Sequence, residues 1–437
     1  MSENYQSLPK GWYKPSLSEL GSICTGNTPP TSDPSNYGGD LPFVGPSDLS
    51  RGRWIDSCSE KLTRKGELLS RTANKDAVLV SCIGILGKVG QAQEKLSFNQ
   101  QVNSIQPDED KVDAGFLYYA SSRLQGDLNK LAGLQVVPIV NKTLFSKLEV
   151  LAPKRLEEQS WIASILDTLD TQIQKTEALI AKLEKVKEGL LHNLLTRGID
   201  ENGLLRPSPE QAPELYKESP LGLIPREWVC DQLKWFVPTA DYGISSSLSD
   251  SGEVPVLRMN NFQDGEASLG SLKFSSASSI SGLTLQYGDV LFNRTNSIDH
   301  VGRTGIWRGQ LPKVSFASYL VRINPDQEKL SPEYLNFWLN LNSTKNMVKR
   351  YATPGVHQVN VNPTNLRKVY MAAPSSMKEQ FKVVDALLGL NKKISKERYA
   401  IAKLKSEKTA LMDDLLTGRV RVTPLLDQAQ AQATTPA

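Results

Sequence analysis

The chain repeats itself. The segment from Pro153 to Thr196 returns 221 positions later, from Pro374 to Thr417. In one register Pro153, Glu158, Gln159, Leu166, Ile173, Lys175, Lys182, Leu183, Lys187, Leu190, Leu194, Leu195 and Thr196 meet the same residue type in the second copy. A repeat of this length marks a duplicated chain, and it constrains the fold more than any composition does. Two equivalent halves can acquire pseudo-two-fold symmetry, which double-stranded DNA approximately shares.

Both copies read as helices. Leu166, Leu169, Ile173, Ile180, Leu183, Leu190 and Leu194 follow alternating steps of about three and four, and the second copy repeats them as Leu387, Leu390, Ile394, Ile401, Leu404, Leu411 and Leu415. Neither copy contains an internal proline, and each ends near a glycine, Gly198 or Gly418, as helix C-termini favour. Polar residues interrupt the stripe at matched places, Thr176 with Glu397 and Lys187 with Lys408, which fixes register at some cost in stability. A stripe this narrow cannot be buried by its own helix. The other copy, laid antiparallel, is the expected partner; the neighbouring domain or another chain is the alternative.

Around the helices lie two mixed segments, residues 1–152 and about 206–373. They are weakly alike: Leu8–Trp12 (LPKGW) resembles Ile224–Trp228 (IPREW), and Phe98, Ile105, Pro107 and Leu117 match Phe316, Ile323, Pro325 and Leu335. Short apolar runs such as AVLVSCIGILG and DVLFN, punctuated by Gly, Pro, Asn and Asp, predict strands and turns, and GFLYYASSRLQ predicts a short helix.

The 437 residues suffice for several cores, while a net charge of +4 leaves the partner open. Cys24, Cys58, Cys82 and Cys230 are scattered without C-x-x-C spacing, and the three histidines form no metal-binding pattern, so no metal site is expected. The N-terminus lacks an apolar signal core and no segment is a candidate membrane span, which makes the cytoplasm the expected compartment.

The order of variable domain, long helix, variable domain, long helix resembles the specificity (S) subunit of type I restriction-modification enzymes. Gly26–Leu49, GNTPPTSDPSNYGGDLPFVGPSDL, resembles the family's opening G-x-T-P block; LVSCIGILGKVG and FNQQVNSIQP resemble its glycine turn and Asn-Gln-Gln segment. Both helices begin with P-x-x-x-x-E-Q and end with L-L-T. The second domain departs from the pattern: no G-x-T-P block stands near Tyr242–Ser247, and FASYL replaces FNQQV. The resemblance implies an α+β chain: two mixed α/β target-recognition domains separated by two long antiparallel coiled-coil helices, with a pseudo-two-fold internal repeat. Its expected parts are a first target-recognition domain (1–152), a spacer helix (153–199), a linker (200–222), a second recognition domain (223–373), a second spacer helix (374–421) and a disordered tail (422–437).

Chemistry is missing from the chain in the same sense. It has no N-P-P-[YF] or D-P-P-[YF] methyltransferase motif, and Gly84–Val89 lacks Walker A spacing. The resemblance implies a non-catalytic subunit that binds double-stranded DNA and assembles two methyltransferase (M) subunits, which carry S-adenosylmethionine, with restriction (R) subunits. The alternative from another class is a coiled-coil scaffold with two protein- or glycan-binding domains.

Reading base edges requires Arg, Lys, Asn or Gln, whereas phosphates accept almost any donor. In the first domain these are Arg51, Arg53, Arg64, Lys65, Arg71, Lys88 and the cluster Asn99, Gln100, Gln101. In the second they are Arg258, Asn260, Asn261, Arg294, Asn296, His300, Arg303, His357 and Gln358. Each could instead satisfy a turn or solvate a surface. Asp241 and Tyr242 have no companion acid or base in sequence.

Overall fold

The two repeats fold as helices spanning Leu156–Thr196 and Met377–Leu416, of 41 and 40 residues. A computed structural model describes residues 8–50, 52–133, 136–280, 282–355 and 358–427. The chain divides into two compact units. Unit 1 holds the described residues up to Leu179 with those from Glu397 onward; unit 2 runs from Ile180 to Lys396. The division cuts through both helices, so each unit contains part of each.

Within unit 1 the facing helix segments run in opposite directions: Asp170 pairs with Lys408 and Glu177 with Lys405, the second 2.8 Å apart. Ile162, Ala163 and Leu166 share a core with Leu411, Met412, Leu415 and Leu416. Within unit 2, Leu190, Leu191, Leu194 and Leu195 share one with Val383, Val384, Leu387 and Leu388. Of the stripe, Leu166, Ile173, Leu183, Leu194, Leu387, Ile394 and Leu415 are buried. Leu169, Ile180, Leu190, Leu390, Ile401, Leu404 and Leu411 are half-buried.

The E-Q pair that opens each helix has a physical reason. Gln159 is fully buried; its amide donates to Pro153 O (2.8 Å) and Lys111 O (3.3 Å), and its oxygen accepts from Asp113 N. Gln380 repeats the arrangement with Pro374 O, Lys329 O and Ser331 N. Asp113 and Ser331 in turn cap the helices Ala114–Ser122 and Pro332–Asn340, so one glutamine ties each long helix to its domain. The preceding glutamates take an arginine from just beyond the end of the opposite helix. Arg421 clasps Glu158 bidentately at 2.6 and 2.8 Å, and Arg206 clasps Glu379 in the same way. Gly198 and Gly418 adopt φ of +64° and +70° beside these pairs, the left-handed turn that releases the chain from the helix.

Each unit carries a mixed sheet. In unit 1 the order is Gly21–Thr25, Val102–Pro107, Val78–Ser81, Val89–Ala92, Trp54–Ile55. In unit 2 it is Asp241–Tyr242, Leu320–Arg322, Val290–Asn293, Thr304–Ile306, Glu266–Ala267, Phe262–Gln263. A smaller sheet in each contains one parallel pair, Val44 with Phe98 and Leu257 with Phe316.

Two expectations need correction. Segment 200–222, expected as a linker, is packed into unit 2. Arg206 and Tyr216 are buried, and Tyr216–Lys217 pairs with Ile224–Pro225. The expected disordered tail is folded over its first residues: 423–427 are helical, and Val422 and Leu426 enter the unit 1 core. Residues 428–437 lie outside the described residues. No helix among the described residues is long and apolar enough to cross a membrane, and no cluster of three or more His, Cys, Asp or Glu among them could hold a metal ion.

Candidate nucleic-acid interface

In unit 1 the G-N-T-P and N-Q-Q segments, more than 70 positions apart, meet through backbone. Gly26 N donates to Val102 O and Asn27 N to Phe98 O, both at 3.1 Å, while Asn99 N donates to Val44 O at 3.0 Å. A Cβ at residue 26 would lie 2.2 Å from Phe98 O, so only glycine allows this approach.

This frame brings several polar side chains to one rim. The Thr28 hydroxyl donates to Gln100 Oε1; Asn99 and Gln101 bond to each other. Asn27 is held by Leu69 O and Arg71 N (both 2.7 Å), and the Arg71 guanidinium donates to Thr25 O. Gln100 and Arg71 remain exposed, with donors left over for a ligand. Asn27 and Thr28 were absent from the sequence candidates, although the G-x-T-P block contains them.

The basic candidates separate. Arg53 is no surface contact: it is 9% exposed, donates to Gln91 Oε1 at 2.6 Å, pairs with Asp167 and lies over Trp54. This ion pair, buried on the arginine side, consumes the charge expected for DNA. Arg64 pairs with Glu67, and Lys65 with Asp33 at 2.6 Å. The hydrogen bond from Lys65, helped by Ser35, holds the Asp33 carboxyl down at about 2. Lys88 is half-buried in the glycine turn, where its backbone N donates to Ser81 Oγ. Arg51 lies outside the described residues.

Unit 2 builds the same backbone frame without the same letters. Gly243 N donates to Leu320 O (3.3 Å), Ile244 N to Phe316 O (2.9 Å) and Ala317 N to Leu257 O (2.9 Å). A Cβ on Gly243 would lie 2.3 Å from Phe316 O. Ala317, Ser318 and Tyr319 stand where unit 1 has its amides.

Polar chemistry in unit 2 gathers instead around Arg294. Its guanidinium lies 5.0 Å over the Tyr242 ring, and one nitrogen donates to Ser318 O at 3.4 Å. It lines a groove of about 580 Å³ with Thr295, Thr353, Gln358, Asn360 and Asn362. Arg294 Nε, Asn360 Oδ1 and both amide atoms of Asn293 are buried without a protein hydrogen-bond partner. Buried polar groups are nearly always partnered, so these orphaned atoms are unusual; Arg294 and Asn360 line the groove, whereas Asn293 is fully buried behind it. No sequence signal pointed to Asn360 or Tyr242 as contacts, because a tertiary strand pairing brings Asn360 beside Thr295.

Other candidates scatter. Asn261 is fully buried and bonded to Arg258 N, Ser268 O and Gly270 O, so it closes a turn and cannot touch a ligand. The Arg258 guanidinium donates to Ser271 O at 2.7 Å. Asn260 and His300 are exposed, and Asn296 accepts from Ser297 N. Arg303 lines a different cavity. Asp241 is taken by Arg322 at 2.8 Å. His357 lies outside the described residues.

Comparison with known proteins bears on these rims. Residues 9–185 match the family model described as the type I restriction modification DNA specificity domain. The type I restriction enzyme HindI specificity subunit of Haemophilus influenzae is 30% identical over 197 residues, 43% of this chain and 42% of that protein. Partial alignments of this kind span about half the length of the curated relatives concerned. The MjaVIII specificity subunit of Methanocaldococcus jannaschii is 24% identical over 444 residues, 96% of each chain. The fold is similar to that of the crystallised type I restriction-modification S subunit from M. genitalium, with a TM-score of 0.59 at 14% identity over 95% of this chain and 98% of that one. The chain is therefore similar over residues 9–185 to the type I restriction modification DNA specificity domain and, at 23–24% identity, over most of its length to type I restriction enzyme specificity subunits.

Proposed function

We propose that this chain is the non-catalytic DNA-specificity subunit of a type I restriction-modification system, and that its two rims each read one half of a split target in duplex DNA. One observation carries the reading: a single hydrogen-bonded frame, Gly26 on Phe98 and Gly243 on Phe316, occurs in both units with different side chains on it. Thr28, Asn99 and Gln100 crown the first; Arg294, Gln358 and Asn360 crown the second. A shared scaffold bearing unlike donors is what two unlike half-sites require, because base identity is read by side chains at fixed positions.

In this reading residues 1–152 and 223–373 are the recognition domains, and the long helices form an antiparallel coiled coil that spaces them about a pseudo-two-fold axis. The duplicated register and the matched Glu158–Arg421 and Glu379–Arg206 clasps support it. The outer faces of the helices dock two M subunits, which bring S-adenosylmethionine, and R subunits complete the restriction enzyme in the cytoplasm. An electrophoretic shift with and without a co-expressed M subunit tests the proposal: duplex carrying both half-sites is expected to be retained by the complex. Equal retention of any duplex, or none, favours a protein- or glycan-binding scaffold.

A further inference from the structure

Unit 2 contains a second recess, separate from the Arg294 groove. It has a volume of about 370 Å³ and is walled by the first long helix at Lys187, the turn at Phe262–Gly265, Arg303 and Lys345. Three cations, Lys187, Arg303 and Lys345, face one carboxylate, Asp264. Lys187 and Asp264 are each engaged within the protein. Arg303 and Lys345 have no ion-pair partner among the described residues. Burial, and then the positive fields of Arg303, Lys349 and Lys187, hold the Lys345 ammonium below the usual lysine range.

The corresponding place in unit 1 is neutralised. Lys408, the repeat counterpart of Lys187, pairs with Asp170 at 2.5 Å, and Asp167 pairs with Arg53. In the repeat register those two aspartates become Asn391 and Leu388, and the Asn391 side-chain oxygen is buried without a partner. Thus unit 2 keeps the lysine, adds two cations and loses both helix carboxylates. Its wall is also fixed in place. Asn336 donates to Gly265 O at 2.8 Å, and Asn340 to Thr304 O at 3.0 Å.

We propose that this recess is a binding site for a phosphate-class oxyanion, held by Arg303 and Lys345. The volume falls within the roughly 300–1,000 Å³ of small-ligand sites, which leaves room for two linked phosphoryl groups. Arg303 and Lys345, neither in an ion pair among the described residues, repel one another, and an anion between them converts that repulsion into attraction. The oxyanion is either free in solution or a backbone phosphate of nucleic acid. The inference goes beyond the base-reading rims and does not rest on them.

Calorimetry on the full chain with sodium pyrophosphate, against chloride at equal ionic strength, tests it, together with duplex-DNA affinity measured over a range of salt. The variants are Lys345→Met and Arg303→Gln. A free oxyanion gives saturable pyrophosphate binding that weakens about ten-fold or more in either variant. A nucleic-acid phosphate gives no pyrophosphate binding, but weaker duplex binding in both variants, with a salt slope shallower by about one. Unchanged duplex affinity in both variants, with pyrophosphate binding absent or equally unchanged, overturns the site and leaves the rims standing. Thermal unfolding controls for folding: Lys345→Met relieves repulsion and should melt no lower than the parent. If it does not fold, the exposed Arg303→Gln decides.

Discussion

Replacing Arg206 by methionine should unfold unit 2 selectively. Arg206 and Glu379 are each 11% exposed in their side chains, and the guanidinium grips both carboxylate oxygens. Removing one partner of such a pair strands a buried charge, at about 3–5 kcal/mol. Glu379 would still accept from Ile199 N at 3.1 Å and Trp228 Nε1 at 3.3 Å, so the lower end, about 3 kcal/mol, is expected. Arg206→Met with Glu379→Gln keeps both acceptor contacts and removes the stranded charge, and should recover roughly half of the loss. Arg421→Met is the unit 1 counterpart. Glu158 is 1% exposed in its side chain and accepts from Arg421 alone among the described residues, so the cost should equal or exceed that of Arg206→Met. Urea unfolding gives the magnitude, and amide hydrogen exchange gives the location: faster exchange in Val290–Asn293 for Arg206→Met, and in Val78–Ser81 for Arg421→Met. A loss below about 1 kcal/mol, or exchange accelerated equally in both units, would refute the clasp as a source of stability.

The Cys82 thiol is pushed up to about 12 by burial, so iodoacetamide at mildly alkaline pH should leave it unmodified in the folded chain; mass spectrometry finding it alkylated before unfolding contradicts that environment. Arg294→Ala should weaken specific duplex binding by about 1–3 kcal/mol and relax one position of one half-site, whereas uniform weakening across sequences would make Arg294 a phosphate contact. Inserting four residues in each helix, between Ile173 and Leu190 and between Ile394 and Leu411, adds about 6 Å, so the methylated target should keep its half-sites and gain one or two base pairs of gap. An active variant with the original gap shows that the helices do not set spacing.

The helices were legible because a buried stripe imposes a period, and every stripe position is buried or half-buried. Their clasps were not. Glu158 and Arg421 are 263 positions apart, and nothing local in either residue announces the other. Segment 200–222 and the tail differ from expectation for one reason: polar composition conceals a few anchoring residues, Tyr216 in one and Val422 and Leu426 in the other. Residue type also says little about burial. Arg53 and Asn261 carry the chemistry of base readers and are consumed inside the fold. The second rim was hidden because a backbone hydrogen-bonded frame needs a glycine and little else. Gly243 supplies it after the surrounding block has diverged beyond recognition.

The central claim, that each rim reads its own half-site, is tested most directly by exchanging residues 1–152 for the equivalent domain of a relative and sequencing methylated DNA from cells carrying the M subunit. Independent reading by the two rims changes one half of the methylated target and leaves the other the same. Both halves changing together, or neither, would contradict it.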